Sequence, residues 1–405
     1  MNQVSRFPAR PNRREFMAAG TSALAFSVLN PRLVHGSQAN SKIALGLIGC
    51  GGRGTWIADY FKSHGGFELV AAADYFEDRV NAFGDKFGIE PSRRFSGLAG
   101  YRRLLEGKLD AVAIESPPYF HPEQAAAAIQ SGQHAYLAKP VAVDVPGCTT
   151  VADAGRKASE RSLVFLVDFQ TRADPTFREV AKRVHYGEIG HIINGEAVYY
   201  CDLTFGDQSF GADDAEARLR AWGVDRALSG DIIVEQNIHA LDVATWLLDA
   251  APLRAVGGCG RKVRRGAGDG HDHFAGLFTF PDEVMLSFAS KQCGQGYDDI
   301  GCFVFGSRGT VEAHYFGLVR IRGETPYAGD TMKNLYADGV VANVAEFHRC
   351  IVEGDYQNST VSPSVRSTLT AILGRTAAYR AGVVTWDEML RANEKLDANL
   401  KGLKE

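Results

Sequence analysis

The chain has 405 residues, 45% hydrophobic and 23% charged, an ordinary globular composition with length for two or three domains. Its formal charge is −4 and it has no Lys/Arg-rich block, which argues against nucleic acid or an anionic membrane surface as a partner and favours a small neutral molecule. The seven cysteines form no C-x-x-C and no zinc-ligand spacing, and are expected to be mostly buried free thiols.

The first forty residues differ from the rest. Asn12-Arg13-Arg14-Glu15-Phe16-Met17 precedes a weakly apolar run from Ala18 to Leu29, followed by Pro31 and small residues around Gly36 and Ala39. A run of about 12 apolar residues is too short to span a hydrocarbon core, which needs about 20. The order is that of a twin-arginine export signal over residues 1–40, cleaved after Gly36 or Ala39. It predicts contact with the twin-arginine export machinery, no stable membrane insertion, and a periplasmic or otherwise exported protein.

From Lys42 the chain alternates. Apolar runs without helical period at Lys42 to Gly49, Phe67 to Asp74, Leu109 to Ser116 and His134 to Ala138 predict strands. Amphipathic or Ala-rich stretches at Thr55 to His64, Asp78 to Phe87, Tyr101 to Glu106 and Pro122 to Ser131 predict the helices between them. This is the pattern of a doubly wound parallel sheet, a Rossmann domain over residues 41–160. The texture then changes. A strand at Leu163 to Phe169, a helix at Pro175 to Tyr186 and an extended segment from Ile189 to Tyr200 come first. Strands at Phe274 to Phe280, Val284 to Ala289, Gly301 to Phe305 and Gly309 to Tyr315 follow, with hairpin-like turns at 280–283 and 306–309. Consecutive strands with short turns predict a mostly antiparallel open sheet in an α+β substrate domain over 161–405, closed by helices at Val341 to Glu353 and Val365 to Ala381.

Gly49-Cys50-Gly51-Gly52-Arg53-Gly54 directly follows the first strand and opens the first helix. In that context glycines permit a tight turn and close approach of backbone to a pyrophosphate, while the helix N-terminus supplies partial positive charge. Asp74 ends the second strand, where a carboxylate accepts hydrogen bonds from ribose hydroxyls and repels a 2′-phosphate. NAD is the expected cofactor, and nearby Arg79 keeps NADP open.

The third strand runs out in Ser116-Pro117-Pro118-Tyr119-Phe120-His121 and the fourth in Ala138-Lys139-Pro140. With the glycine loop and a downstream segment around His239, this order resembles the Gfo/Idh/MocA oxidoreductases, from Lys42 almost to the C-terminus. The resemblance implies cofactor contacts at Ser116, Pro117 and His121, and a Lys139 near nicotinamide and substrate hydroxyl. The usual motif is Glu-Lys-Pro; here Ala138 replaces the glutamate. It also implies a catalytic pair at Glu235 and His239, with Glu235 where relatives carry Asp, and a domain-junction arginine at Arg172 that orients substrate or cofactor or serves as a structural salt-bridge partner. On a continuous helix, Glu235, His239 and Asp242 share one polar stripe, and Asp242 would hold the imidazole or bind hydroxyls. His271 and His273 would share a strand face, but no third ligand is evident, so no metal site is expected.

These readings converge on hydride transfer between nicotinamide and a secondary alcohol of a sugar or polyol, with proton removal by His239 or Lys139. Two other classes stand beside it: a redox-neutral glycosidase, epimerase or lyase working through a transient keto-sugar, and a non-catalytic sugar- or nucleotide-binding protein. A homo-oligomer is compatible with all three.

Overall fold

The structure, a computed structural model, describes residues 42–211, 214–294 and 296–405, so the expected export signal lies outside the described residues. The first half alternates as its hydrophobic pattern dictates. It runs β1 (Ile43–Ile48), α1 (Gly52–His64), β2 (Phe67–Asp74), α2 (Glu77–Phe87), β3 (Arg94–Ser96), α3 (Gly100–Leu105), β4 (Ala111–Ile114), α4 (His121–Ser131), β5 (His134–Ala138), α5 (Val145–Glu160) and β6 (Phe165–Asp168). The six strands form one sheet in the order β3-β2-β1-β4-β5-β6, every pair parallel. All four residues of β4 are buried, because helices cover both faces of a parallel sheet and leave no solvent side. The order reverses between β1 and β4, so a crevice opens at their carboxyl ends, where such sheets bind ligands. The sheet takes β6 from beyond residue 160 and so extends past the boundary expected from the change in texture.

The second half contains α6 (Pro175–His185), β7 (Ile192–Cys201), α7 (Ile232–Glu235), α8 (Ile238–Leu248), β8 (Arg254–Gly260), β9 (His273–Thr279), β10 (Met285–Gln292), β11 (Asp299–Gly306), β12 (Gly309–His314), β13 (Leu318–Gly323), β14 (Tyr327–Thr331), α9 (Leu335–Glu353), α10 (Val361–Arg380) and β15 (Val384–Thr385). Its nine strands are ordered β14-β13-β12-β11-β7-β10-β9-β8-β15. The sheet is antiparallel except for β7 and β10, which pair in parallel through a long crossover. The two expected turns join β9 to β10 and β11 to β12. Both closing helices begin earlier than their apolar spacing suggested. α9 packs on α1, while α10 packs on both α5 and β8, so the end of the chain ties the two sheets together. All seven cysteines are unpaired, but only Cys50, Cys148 and Cys302 are buried; the other four are half-buried. Among the described residues no helix is long and apolar enough to cross a membrane.

Candidate active site

The glycine loop divides its labour. A Cβ on Gly49, whose φ is +94°, would lie 2.5 Å from the backbone of Glu115 and Ser116, and one on Gly54 would lie 1.8 Å from the Gly49 carbonyl oxygen. These two glycines let β1, α1 and β4 pack. Gly51 and Gly52 face open space: a Cβ on Gly52 would meet nothing within 4 Å, and one on Gly51 only Arg79, at 3.7 Å. The N-terminus of α1 behind them has no side-chain cap and no acid in its first turn, leaving its N–H groups and dipole for an anion. Asp74 closes the loop from below, accepting from the Cys50 N–H at 2.7 Å and the Phe76 N–H at 2.9 Å. Burial raises its pKa. The adjoining cavity is lined by Asp74, Phe76, Arg79, Ser116, Pro117 and, from the second half, Leu219. The Phe76 ring lies between two guanidinium groups, Arg220 at 3.9 Å and Arg79 at 4.8 Å. These residues fit a dinucleotide: open glycines for the phosphates and a strand-end carboxylate for the ribose hydroxyls.

A second cavity, of about 280 Å³, continues from Ser116 toward the carboxyl end of β5 and is lined by Arg53, Glu115, Lys139, Glu235, His239 and Tyr336, among others. Lys139 follows β5 directly. Its Nζ donates to the Glu235 backbone carbonyl and, at 3.1 Å, to the Glu235 carboxylate, the two side chains being 11% and 12% exposed. The other Glu235 carboxylate oxygen has no hydrogen-bond partner among the described residues. His239 is buried, its Nδ1 2.8 Å from the Tyr315 hydroxyl. Burial, reinforced by the positive charges of Lys139 and Arg53, pushes its pKa well below the usual range and keeps the imidazole neutral.

Two expectations need correction. Glu235, His239 and Asp242 do not form one helical stripe, because the helix breaks at Gln236 and Asn237 between α7 and α8. Asp231, at φ +67°, anchors the first fragment by accepting from the Ile232 N–H, the Tyr379 hydroxyl and the His271 N–H. Asp242 turns away from the cavity. It is fully buried and binds Arg172 through Nε at 3.0 Å and Nη2 at 2.8 Å, and accepts from Ser367 at 2.6 Å. A carboxylate inside protein must be paired, and this pair consumes both groups, so neither Arg172 nor Asp242 lines the cavity as a substrate ligand. His121 is 1% exposed, with Nδ1 2.7 Å from the Pro140 carbonyl and Nε2 2.7 Å from the Ser116 carbonyl. It braces the end of β4 against the loop carrying Lys139. Burial lowers its pKa to about 4, outweighing the two carbonyls.

Among the described residues no cluster of three His, Cys, Asp or Glu could hold a metal. His271 instead faces Asp231 and Tyr379, and His273 faces Asp272.

Two family models match the chain. Residues 43–166 match the oxidoreductase family with NAD-binding Rossmann fold, and residues 177–312 match the GFO/IDH/MocA C-terminal domain. The chain belongs to the GFO/IDH/MocA oxidoreductase family. The inositol 2-dehydrogenase of Rhizobium meliloti is 25% identical over 351 residues, 84% of this chain and 96% of that protein. The scyllo-inositol 2-dehydrogenase (NAD(+)) of Bacillus subtilis is 28% identical over 196 residues, 48% of this chain and 50% of that protein. An oxidoreductase domain protein from Kribbella flavida shares the fold with a TM-score of 0.71 at 19% identity, covering 85% of this chain and 99% of that one. The protein is thus an NAD-binding oxidoreductase of this family.

Within that family frame, the sequence reading passed over Glu115. It is a charged residue at the end of an otherwise apolar strand, a signal that was available, and its side chain is fully buried at the cavity floor. Arg53, expected to touch the cofactor, spans two carboxylates: Nε is 3.4 Å from Glu115 and Nη2 binds Asp168. Tyr199, Trp222 and Tyr336 also line the cavity and come from distant segments with no local signature.

Proposed function

We propose that the protein oxidises a secondary alcohol of a sugar or polyol, or runs the reverse reduction. The observation that carries this reading is the convergence of Lys139, Glu235 and His239 on one cavity beside the glycine loop. The names of the Rhizobium and Bacillus relatives, both inositol dehydrogenases, support a cyclic polyol or sugar as substrate. NAD, when bound, supplies the hydride acceptor.

The chain's own residues do the rest. Glu235 holds the Lys139 ammonium at the cavity wall, where Nζ binds the reacting oxygen and exchanges its proton. His239, neutral and fixed by Tyr315, is a second group able to accept a hydroxyl proton or orient a neighbouring hydroxyl. The aromatic rings of Tyr199, Trp222 and Tyr336 give the cavity apolar walls suited to the C–H faces of a sugar ring. The test is a panel of inositols, aldoses and glycosides with NAD, followed by absorbance and product analysis. No NAD reduction and no product from any of them would refute the reading.

We also propose that residues 1–40 are a twin-arginine signal and that the enzyme works outside the cytoplasm. The Arg13-Arg14-Glu15-Phe16-Met17 sequence and the short apolar run after it support this. Cell fractionation and N-terminal sequencing test it; an unprocessed cytoplasmic protein would overturn it.

A further inference from the structure

The parallel register places Ile114 beside Leu137 and Ala138 beside Asp168, so the next position on β4, Glu115, is the neighbour of Ala138. Glu115, Ala138 and Asp168 thus form a row across three adjacent strand ends. Ala138 stops at Cβ, and the Arg53 guanidinium crosses the row to reach the carboxylates on either side. The two carboxylates are not equivalent. Asp168 also accepts from Asn343 at 2.7 Å and Gln170 at 3.1 Å, whereas Glu115 meets only the Arg53 guanidinium, Nε at 3.4 Å, and makes no closer hydrogen bond among the described residues. A fully buried carboxyl at the floor of a cavity, held by one guanidinium at long range, is costly to the fold unless something else uses it.

We propose that Glu115 is a relay carboxyl, which takes a proton from Lys139 through the cavity that both side chains line, as Lys139 takes the hydroxyl proton of the substrate. This rests on the alcohol-oxidation reading above. In the oxidation one Nζ–H proton passes through that cavity to the Glu115 carboxylate, the alcohol O–H proton replaces it on Nζ, and the C–H hydride passes to the nicotinamide ring. The substrate C–O bond becomes C=O, the dinucleotide is reduced, and Glu115 is left holding the proton. The reduction runs every transfer backward.

The groups that face Glu115 are Arg53 from α1, Tyr136 and Lys139 from β5 and its end, and Asp168 from β6; Glu235 and His239 lie across the cavity. Burial lifts the Glu115 carboxyl to about 8 against the opposing pull of Arg53, with Asp168 adding to the rise and Lys139 opposing it. Oxidation is therefore expected to quicken as pH rises through that value, and reduction to slow.

The experiment uses the full-length protein with bound NAD. Glu115→Gln, close to isosteric, is expected to lower kcat for oxidation by about a hundredfold, leave NAD affinity unchanged and flatten the pH profile near 8. Glu115→Asp should recover part of the rate, and so should the strand-shifted pair Glu115→Ala with Ala138→Glu. Infrared difference spectra of the unsubstituted protein against Glu115→Gln should show a carboxyl titrating near 8. Unchanged kcat and pH profile in Glu115→Gln, or a carboxylate that stays ionised well below that pH, would overturn the proposal. Absence of turnover in the unsubstituted protein would count against the substrate reading, and the infrared titration would still decide for or against Glu115.

Discussion

Lys139 reaches from the end of β5 across to Glu235, donating to both its backbone carbonyl and its carboxylate, 96 residues away in sequence. One contact therefore joins the Rossmann sheet to the second half of the chain at the reacting end of the cleft. Loss of either residue is a loss of geometry as well as of charge.

Lys139→Ala and His239→Ala are each expected to lower kcat by about a hundredfold or more, the scale of acid–base groups, with NAD binding largely intact. Glu235→Gln should reduce kcat less, because its backbone carbonyl still holds Nζ. Steady-state kinetics with fluorescence titration of NAD separates these effects; full activity in either alanine variant removes that residue from the chemistry.

Asp74 is expected to make NAD bind more tightly than NADP. It also ties Cys50 and Phe76 of the loop in place, so Asp74→Ala should weaken NAD and narrow the gap, with Arg79 free to meet a 2′-phosphate. Kd values for both dinucleotides check this, and tighter NADP binding in the unsubstituted protein would contradict it.

The Arg172 and Asp242 pair is a stability element. Asp242→Ala strands a buried guanidinium and should cost about 3–5 kcal/mol. A double replacement by Met and Leu should cost much less. Urea unfolding measures both, and KM for substrate in the folded double variant should change little. A large KM effect at full stability would restore Arg172 to the substrate site.

Glu115 and His121 shape stability against pH in opposite ranges. The Glu115 carboxyl is raised from 4.5 to about 8, so its contribution is full below the lower value and is lost as pH rises through the upper one. Glu115→Gln should therefore gain Tm relative to the unsubstituted protein on the alkaline side. His121 is lowered from 6.5 to about 4, so its contribution is full above the upper value and lost as pH falls toward the lower. Thermal melts across pH test both signs.

If the protein is exported folded, its dinucleotide is loaded before export and must not leave, since free NAD outside the cell is scarce. Retention over hours needs roughly nanomolar affinity, about −12 kcal/mol. Protein purified without added nucleotide and dialysed should keep NAD, with turnover sustained by a second substrate or by a redox-neutral cycle on one sugar. Complete loss of NAD on dialysis would point to an ordinary dissociating cofactor.

What could be read from the chain by itself was whatever is local. Strand and helix periods, the glycines of the 49–54 loop, Asp74 at a strand end and Lys139 beside Pro140 are short-range features, each with a steric or electrostatic reason that needs no distant partner. The tertiary structure decided the rest. Whether Asp242 serves substrate or fold depends on Arg172, which lies 70 residues away, and on Ser367, 125 away. The stripe through Glu235 and His239 failed because the helix breaks at Gln236 and Asn237, an interruption that the apolar spacing does not record. Glu115 is visible in the sequence as a charge ending an apolar strand, but its place beside Ala138 and against Arg53 came only with the sheet register. Burial sets the price of a charge, and burial is a property of the assembled sheets, not of any segment.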